Sequence, residues 1–178
     1  MFFVDAAHFV LAPFLGYLWS FTRLLIRAPA GRKRFNVLGA LNALTHELHL
    51  IANDTYINSQ SVCELLREIY RLNLELPITL VMDNASYQKN KLVQELAEQL
   101  KIELLFLPSY SPNLNLIERL WKFVKKKALY SKYYADFGGF KQAIQECLEQ
   151  THTTYKKELD SLLVLKFQTF KPSQFMTF

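Results

Sequence analysis

The chain has 178 residues, of which 51% are hydrophobic and 21% charged, the balance of a globular protein of single-domain length with a sizeable core. That composition excludes disorder and coiled coil, and the formal charge of +5 with a pI near 9.1 favours acidic partners such as nucleic acid. Cys63 and Cys147 have neither CxxC spacing nor a third partner, so disulfide and zinc frameworks have no basis and two reduced, buried thiols are expected.

Met1 to Val10 is a nearly unbroken apolar run, the pattern of a strand covered on both faces. A central strand that opens at the first residue leads us to expect a further domain encoded upstream. Phe9 to Phe21 is also apolar, but Pro13, Gly16 and its shortness argue against a membrane helix, and Asp5 argues against a signal peptide. We therefore expect a soluble cytoplasmic protein. A partly basic connection follows, turning at Pro29 and Gly31 and ending in Arg32-Lys33-Arg34.

Two strands, Phe35 to Ala43 and Glu47 to Asp54, are joined by Leu44-Thr45-His46, a hairpin-length link. Asn58 or Ser59 offers an N-cap to an amphipathic helix with Val62, Leu65, Leu66, Ile69 and Leu72 inward. Pro77 resets the chain into the strand Ile78 to Met82. A helix from about Gln88 to Leu100 and a strand from Ile102 to Leu107 come next. Strands alternating with helices imply parallel pairing with right-handed crossovers, hence an α/β protein. The loop Pro108 to Asn113 precedes a helix over roughly 114–129, and a final helical region spans 137–163 with a break near 151–154.

Three carboxylates stand out against this background. Asp5 interrupts the first apolar strand, Asp83 closes the strand ending at Met82, and Glu118 follows after an interval of 34 residues. Carboxylates beside apolar segments need something to offset their charge, most simply divalent cations. Taking Ile117 as zero on a helical wheel, Trp121 falls at about 40°, Leu114 at about 60° and Glu118 at about 100°. Glu118 thus borders the apolar stripe, whereas a purely solvated glutamate would lie nearer 180°. Each acid also has a bland explanation: a paired rim residue for Asp5, Asp-Asn turn chemistry for Asp83, and an exposed acid pairing with Lys122 at i+4 for Glu118. Jointly they point to a two-ion phosphoryl-transfer site.

Phe3-Val4-Asp5, Leu80-Val81-Met82-Asp83-Asn84-Ala85 and above all Leu107-Pro108-Ser109-Tyr110-Ser111-Pro112-Asn113-Leu114-Asn115-Leu116-Ile117-Glu118 resemble the catalytic domain of mariner-type DDE transposases, in their bacterial insertion-sequence branch. The resemblance covers essentially the whole chain, read as one catalytic domain over 1–178. It implies a ribonuclease H-like fold with a mixed central sheet of about five strands flanked by helices. It also implies Asp5, Asp83 and Glu118 as catalytic ligands of two Mg²⁺ or Mn²⁺ ions, with Asn84 and Asn115 in support. The expected partners are transposon-end and target DNA, the latter typically at a TA dinucleotide, and a second subunit in a homodimeric complex. The helix-turn-helix recognition domains usual in such proteins have no counterpart before Asp5, so the chain is expected to be a second frame of a split element or a remnant. A catalytically silent DNA- or subunit-binding module and a nuclease that only hydrolyses are the alternatives.

Other features carry less. Arg32, Lys33, Arg34, Lys122, Lys125 and Lys126 are candidate phosphate contacts, or simply solvated faces. His46 and His49 are placed to opposite sides of a strand and cannot chelate together, His8 suits a packed or supporting role, and Trp19 and Trp121 suit core anchors.

Overall fold

In the computed structural model, residues 1–11, 21–22, 33–109 and 111–167 are described. Arg32, Trp19, most of the apolar segment after Val10, and Tyr110 lie outside them. The strands are β1 (Phe2–Val10), β2 (Arg34–Asn42), β3 (Leu48–Asn53), β4 (Ile78–Met82) and β5 (Ile102–Phe106), and the helices α1 (Ser59–Arg71), α2 (Lys91–Gln99), α3 (Ile117–Val124), α4 (Phe137–Glu149) and α5 (Lys156–Leu162). They build one mixed sheet in the order β3-β2-β1-β4-β5, antiparallel across β1–β2 and β2–β3 and parallel across β1–β4 and β4–β5. The apolar first strand is the middle strand.

The two-residue period of β1 sorts its side chains onto two faces. Phe2 and Val4 join Leu38, Ala40, Leu80 and Met82 in a layer closed by α1 and α2 through Val62, Leu65, Leu66, Ile69, Val93 and Ala97. Phe3, Ala7 and Phe9 face the other way, with Val37, Leu41 and Val81, under α3 and α4. Asp5 shares the parity of Phe3 and Ala7. Its side chain is therefore delivered to the α3 face.

Local chemistry accounts for the element ends. Asn42 accepts from the backbone N–H groups of Leu44 and Thr45 and His46 takes φ of 60°, which closes the β2–β3 hairpin. Asn58 caps α1 by accepting from Gln60 and Ser61, with Ser61 Oγ reciprocating to the Asn58 N–H. α2 begins at Lys91 and not near Gln88, because the Gln88 and Lys89 N–H groups turn back to the Ala85 carbonyl and Asn90 supplies the cap. The helix expected over 114–129 is likewise divided. A 3₁₀ turn at Pro112–Leu114 is separated from α3 by Asn115 in extended backbone, and α3 runs into a π turn at Lys125–Leu129. Cys63 and Cys147 are free and buried. Among the described residues no helix is long and apolar enough to cross a membrane.

Candidate active site

The β1–β4 ladder pairs Phe2 with Leu80, Phe3 with Val81 and Val4 with Met82, so the next step of the same register sets Asp5 beside Asp83. β4 stops there, whereas β1 continues to Val10 against β2. Asp83 therefore stands at the carboxyl end of a parallel strand, where α/β sheets open their ligand crevices. Asp83, Asn84 and Ala85 line one side of a cleft of about 290 Å³ whose other side is Pro108, Ser109, Ser111 and Pro112.

Two asparagines tie the surrounding elements to these strand ends. Asn84 Nδ2 donates to the Leu107 carbonyl, and the Leu107 N–H donates to the Met82 carbonyl at 2.9 Å, so the loop after β5 is held against the end of β4. Asn115 is 1% exposed, and its Nδ2 donates to the Val4 carbonyl at 3.1 Å while lying 3.5 Å from Asp83 Oδ1. This links the start of α3 to the peptide just before Asp5. Glu118, in the first turn of α3, is half-buried and makes no ion pair with Lys122.

Electrostatics show the three acids as neighbours. Burial, then the Glu118 charge and more weakly that of Asp83, push the Asp5 carboxyl up to about 7, against hydrogen bonds from the Ala6 backbone and the Trp121 indole that pull it down. Burial, and behind it the charges of Asp5 and Asp83, raise the Tyr87 phenol to about 12, so this ring also lies within reach of the acidic site. Oxygen-only donors of excess negative charge fit a hard divalent cation. The buried Oδ1 atoms of Asn84 and Asn115 have no hydrogen-bond partner, adding unsatisfied oxygens to that set. Among the described residues no three His, Cys, Asp or Glu side chains are gathered closely enough to hold an ion by themselves.

The basic candidates are placed elsewhere. Lys33 is exposed with its Nζ 5.8 Å from the centre of the Phe137 ring, and Arg34 is exposed opposite Val10, five ladder positions from Asp5 or about 17 Å along the strand. Lys122, Lys125 and Lys126 are exposed on the helix and π turn that follow Glu118, while neighbouring Lys127 pairs with Glu158 at 2.8 Å. His8 Nδ1 lies 2.7 Å from Asn36 Oδ1, and His46 bonds Asp160 at 2.8 Å, far in sequence from any acid of the site. Trp121 is the residue that sequence reasoning under-read. It is a core anchor, 2% exposed, but its Nε1–H donates to Asp5 Oδ2 at 3.1 Å. The available signal was general: a buried indole N–H nearly always finds an acceptor.

A model of the DDE superfamily endonucleases matches residues 1–141. The insertion element IS630 39 kDa protein of Shigella sonnei is 26% identical over 125 residues, covering 68% of this chain and 36% of that protein. The chain thus spans about a third of that relative's length. Among solved structures, Mos1 transposase in a paired-end complex with the left transposon end superposes with a TM-score of 0.57 at 15% identity, over 92% of this chain and 55% of that one. The catalytic core domain of HTLV-2 integrase in complex with magnesium gives 0.53 at 14% identity, over 85% and 84%. The fold is therefore that of the ribonuclease H-like transposase and integrase catalytic cores, and the chain belongs to the DDE superfamily endonucleases.

Proposed function

We propose that this chain is the catalytic domain of an insertion-sequence transposase, cutting a phosphodiester at the element's end and joining the freed 3′-hydroxyl to target DNA. The observation that carries the proposal is the β1–β4 ladder, whose last pair, Val4 with Met82, immediately precedes Asp5 and Asp83, with the first turn of α3, and so Glu118, fastened there through Asn115. Asp5, Asp83 and Glu118 hold two Mg²⁺ or Mn²⁺ ions in this scheme, and Asn84 and Asn115 keep the bearing elements in place. Bound ions of this kind activate the attacking oxygen and neutralise charge on the leaving one. The protein's own part is positional. Asp83 and, facing it, Pro108, Ser109, Ser111 and Pro112 present the two sides of the cleft, α3 carries the glutamate, and no side-chain general base is required. In this reading the exposed Lys122, Lys125 and Lys126, which follow Glu118, contact phosphates flanking the cut, and Arg32, Lys33 and Arg34 are further candidate phosphate contacts.

Transposon-end and target DNA are the proposed partners, in a complex containing two copies of the domain. Recognition of the ends is assigned to a helix-turn-helix portion encoded upstream, consistent with the chain's coverage of only 36% of the IS630 relative and 55% of Mos1 transposase. The test is nicking of a plasmid bearing the element's ends, with the chain joined to a DNA-recognition module and supplied with Mg²⁺ or Mn²⁺. Asp83→Asn keeps the side-chain shape but loses the charge that binds the cation, and nicking is expected to disappear. Undiminished cleavage by that variant refutes the assignment.

A further inference from the structure

The cross-strand partner of Asp5 in the β1–β2 ladder is Gly39. Residues so opposed on antiparallel strands ordinarily hold their Cβ atoms ~4.5–5.5 Å apart and pack on each other. Here the space beside Asp5 has no side chain from β2, and the indole of Trp121 descends from α3 to fill it. A Cβ added to Gly39 would fall 2.8 Å from Trp121 Cη2 and 2.9 Å from both Trp121 Cζ2 and Ile117 Cδ1, closer than real contacts allow. The ring is also braced edge-on by Phe9, with centroids 6.4 Å apart and planes at 85°. In that seat its Nε1–H meets Asp5 Oδ2 at 3.1 Å.

We infer that Gly39 and Trp121 are a positioning pair for Asp5: the glycine opens a hollow on β2, the indole fills it, and the indole N–H engages one carboxylate oxygen so that the other is left toward Asp83 and Glu118. The inference rests on the proposed role of Asp5 as a cation ligand. Trp121 touches neither substrate nor cation in this scheme; it acts through Asp5. An indole that needed only an acceptor would be satisfied by any backbone carbonyl. This one is docked on the residue facing Asp5, and its N–H adds to the Ala6 backbone hydrogen bond a second restraint on that carboxylate. The glycine and the tryptophan are 82 positions apart in the chain and come together only in the fold.

The test is Mn²⁺ binding to the full chain by titration calorimetry, alongside thermal unfolding, for Trp121→Phe, Gly39→Ala, the double variant and Asp5→Asn. Outer partners that orient a metal ligand are worth about 10- to 100-fold in affinity, and both Trp121→Phe and Gly39→Ala are expected to weaken Mn²⁺ within that range while still unfolding cooperatively. The double variant is expected to bind no worse than the weaker single one, because phenylalanine lacks the two indole atoms that a Cβ on residue 39 would strike, leaving Ile117 Cδ1 as the remaining close contact, and two changes to one device are not additive. A purely structural role predicts lowered unfolding temperatures with unchanged affinity of the folded protein. That result, with Asp5→Asn abolishing binding, overturns the positioning role alone. If Asp5→Asn leaves Mn²⁺ affinity unchanged, the assignment of Asp5 as a ligand falls and the inference falls with it. Should Gly39→Ala fail to fold, Trp121→Phe decides between these outcomes.

Discussion

At the scale of the residue, Asp5 is a carboxylate held in surroundings that favour its neutral form. Its proton affinity is raised from an ordinary value of 3.8 to about 7 in the fold, burial being the largest cause and Glu118 the next. The folded chain therefore binds an extra proton in the interval between those values. Stability from this group is fully present below about 4 and is lost as pH rises towards 7, a change of up to roughly 4 kcal/mol. Chemical denaturation in chelator should show wild type losing stability relative to Asp5→Asn across that window, with the two profiles running parallel above it. Parallel profiles throughout would show that Asp5 titrates as an ordinary surface acid. Its unusual setting was legible in the sequence, because a charge inside an apolar strand is rarely there for packing. The Trp121 contact was not, since spacing marks the indole as buried without saying what its N–H meets.

At the scale of the element, the stretch expected as one helix from 114 to 129 is broken where the site needs a fixed start for α3. Asn115 leaves helical backbone at φ −94° and ψ 109°, and its amide reaches the Val4 carbonyl 111 positions earlier. A side chain used in that way cannot be anticipated from helical periodicity, because periodicity describes which face is buried and not what a polar residue on it will bond. Asn115→Ala removes the donor to the buried Val4 carbonyl, a loss of about 1–3 kcal/mol. Urea denaturation measures it, and a variant as stable as wild type would mean that the Val4 bond does not anchor α3.

At the scale of the whole molecule, the net charge of +5 and the exposed Lys122, Lys125 and Lys126 beside the first turns of α3 bear on the proposed binding of DNA. Contacts of this kind neutralise phosphates and release counterions, so affinity drops steeply with salt whatever the sequence. Among the described residues, the elements are committed to the sheet and its two covering layers, and none is presented as a recognition helix for a major groove. Residues 1–178 alone are expected to bind transposon-end and random duplexes weakly, with the same slope of log affinity against log salt. Titrations at several salt concentrations check this, and a clear preference for element ends would reveal a recognition surface in this chain.

Strand and helix identities were already determined by the amino-acid order, as were the hairpin at His46, the Asn58 cap and the parity that sends Asp5 to the face of Phe3 and Ala7. All of these depend on neighbours a few positions away, where backbone sterics and side-chain period act directly. The motif around Glu118 also made the three acids recognisable as a set. Only the tertiary structure decided that β1 and β4 pair so that Asp5 stands beside Asp83, that α2 starts after Gln88, and that Gly39 makes room for Trp121. Register between distant strands and the seat of a helix on a sheet are settled by packing both faces at once, and that packing unites residues between which the chain itself imposes no distance.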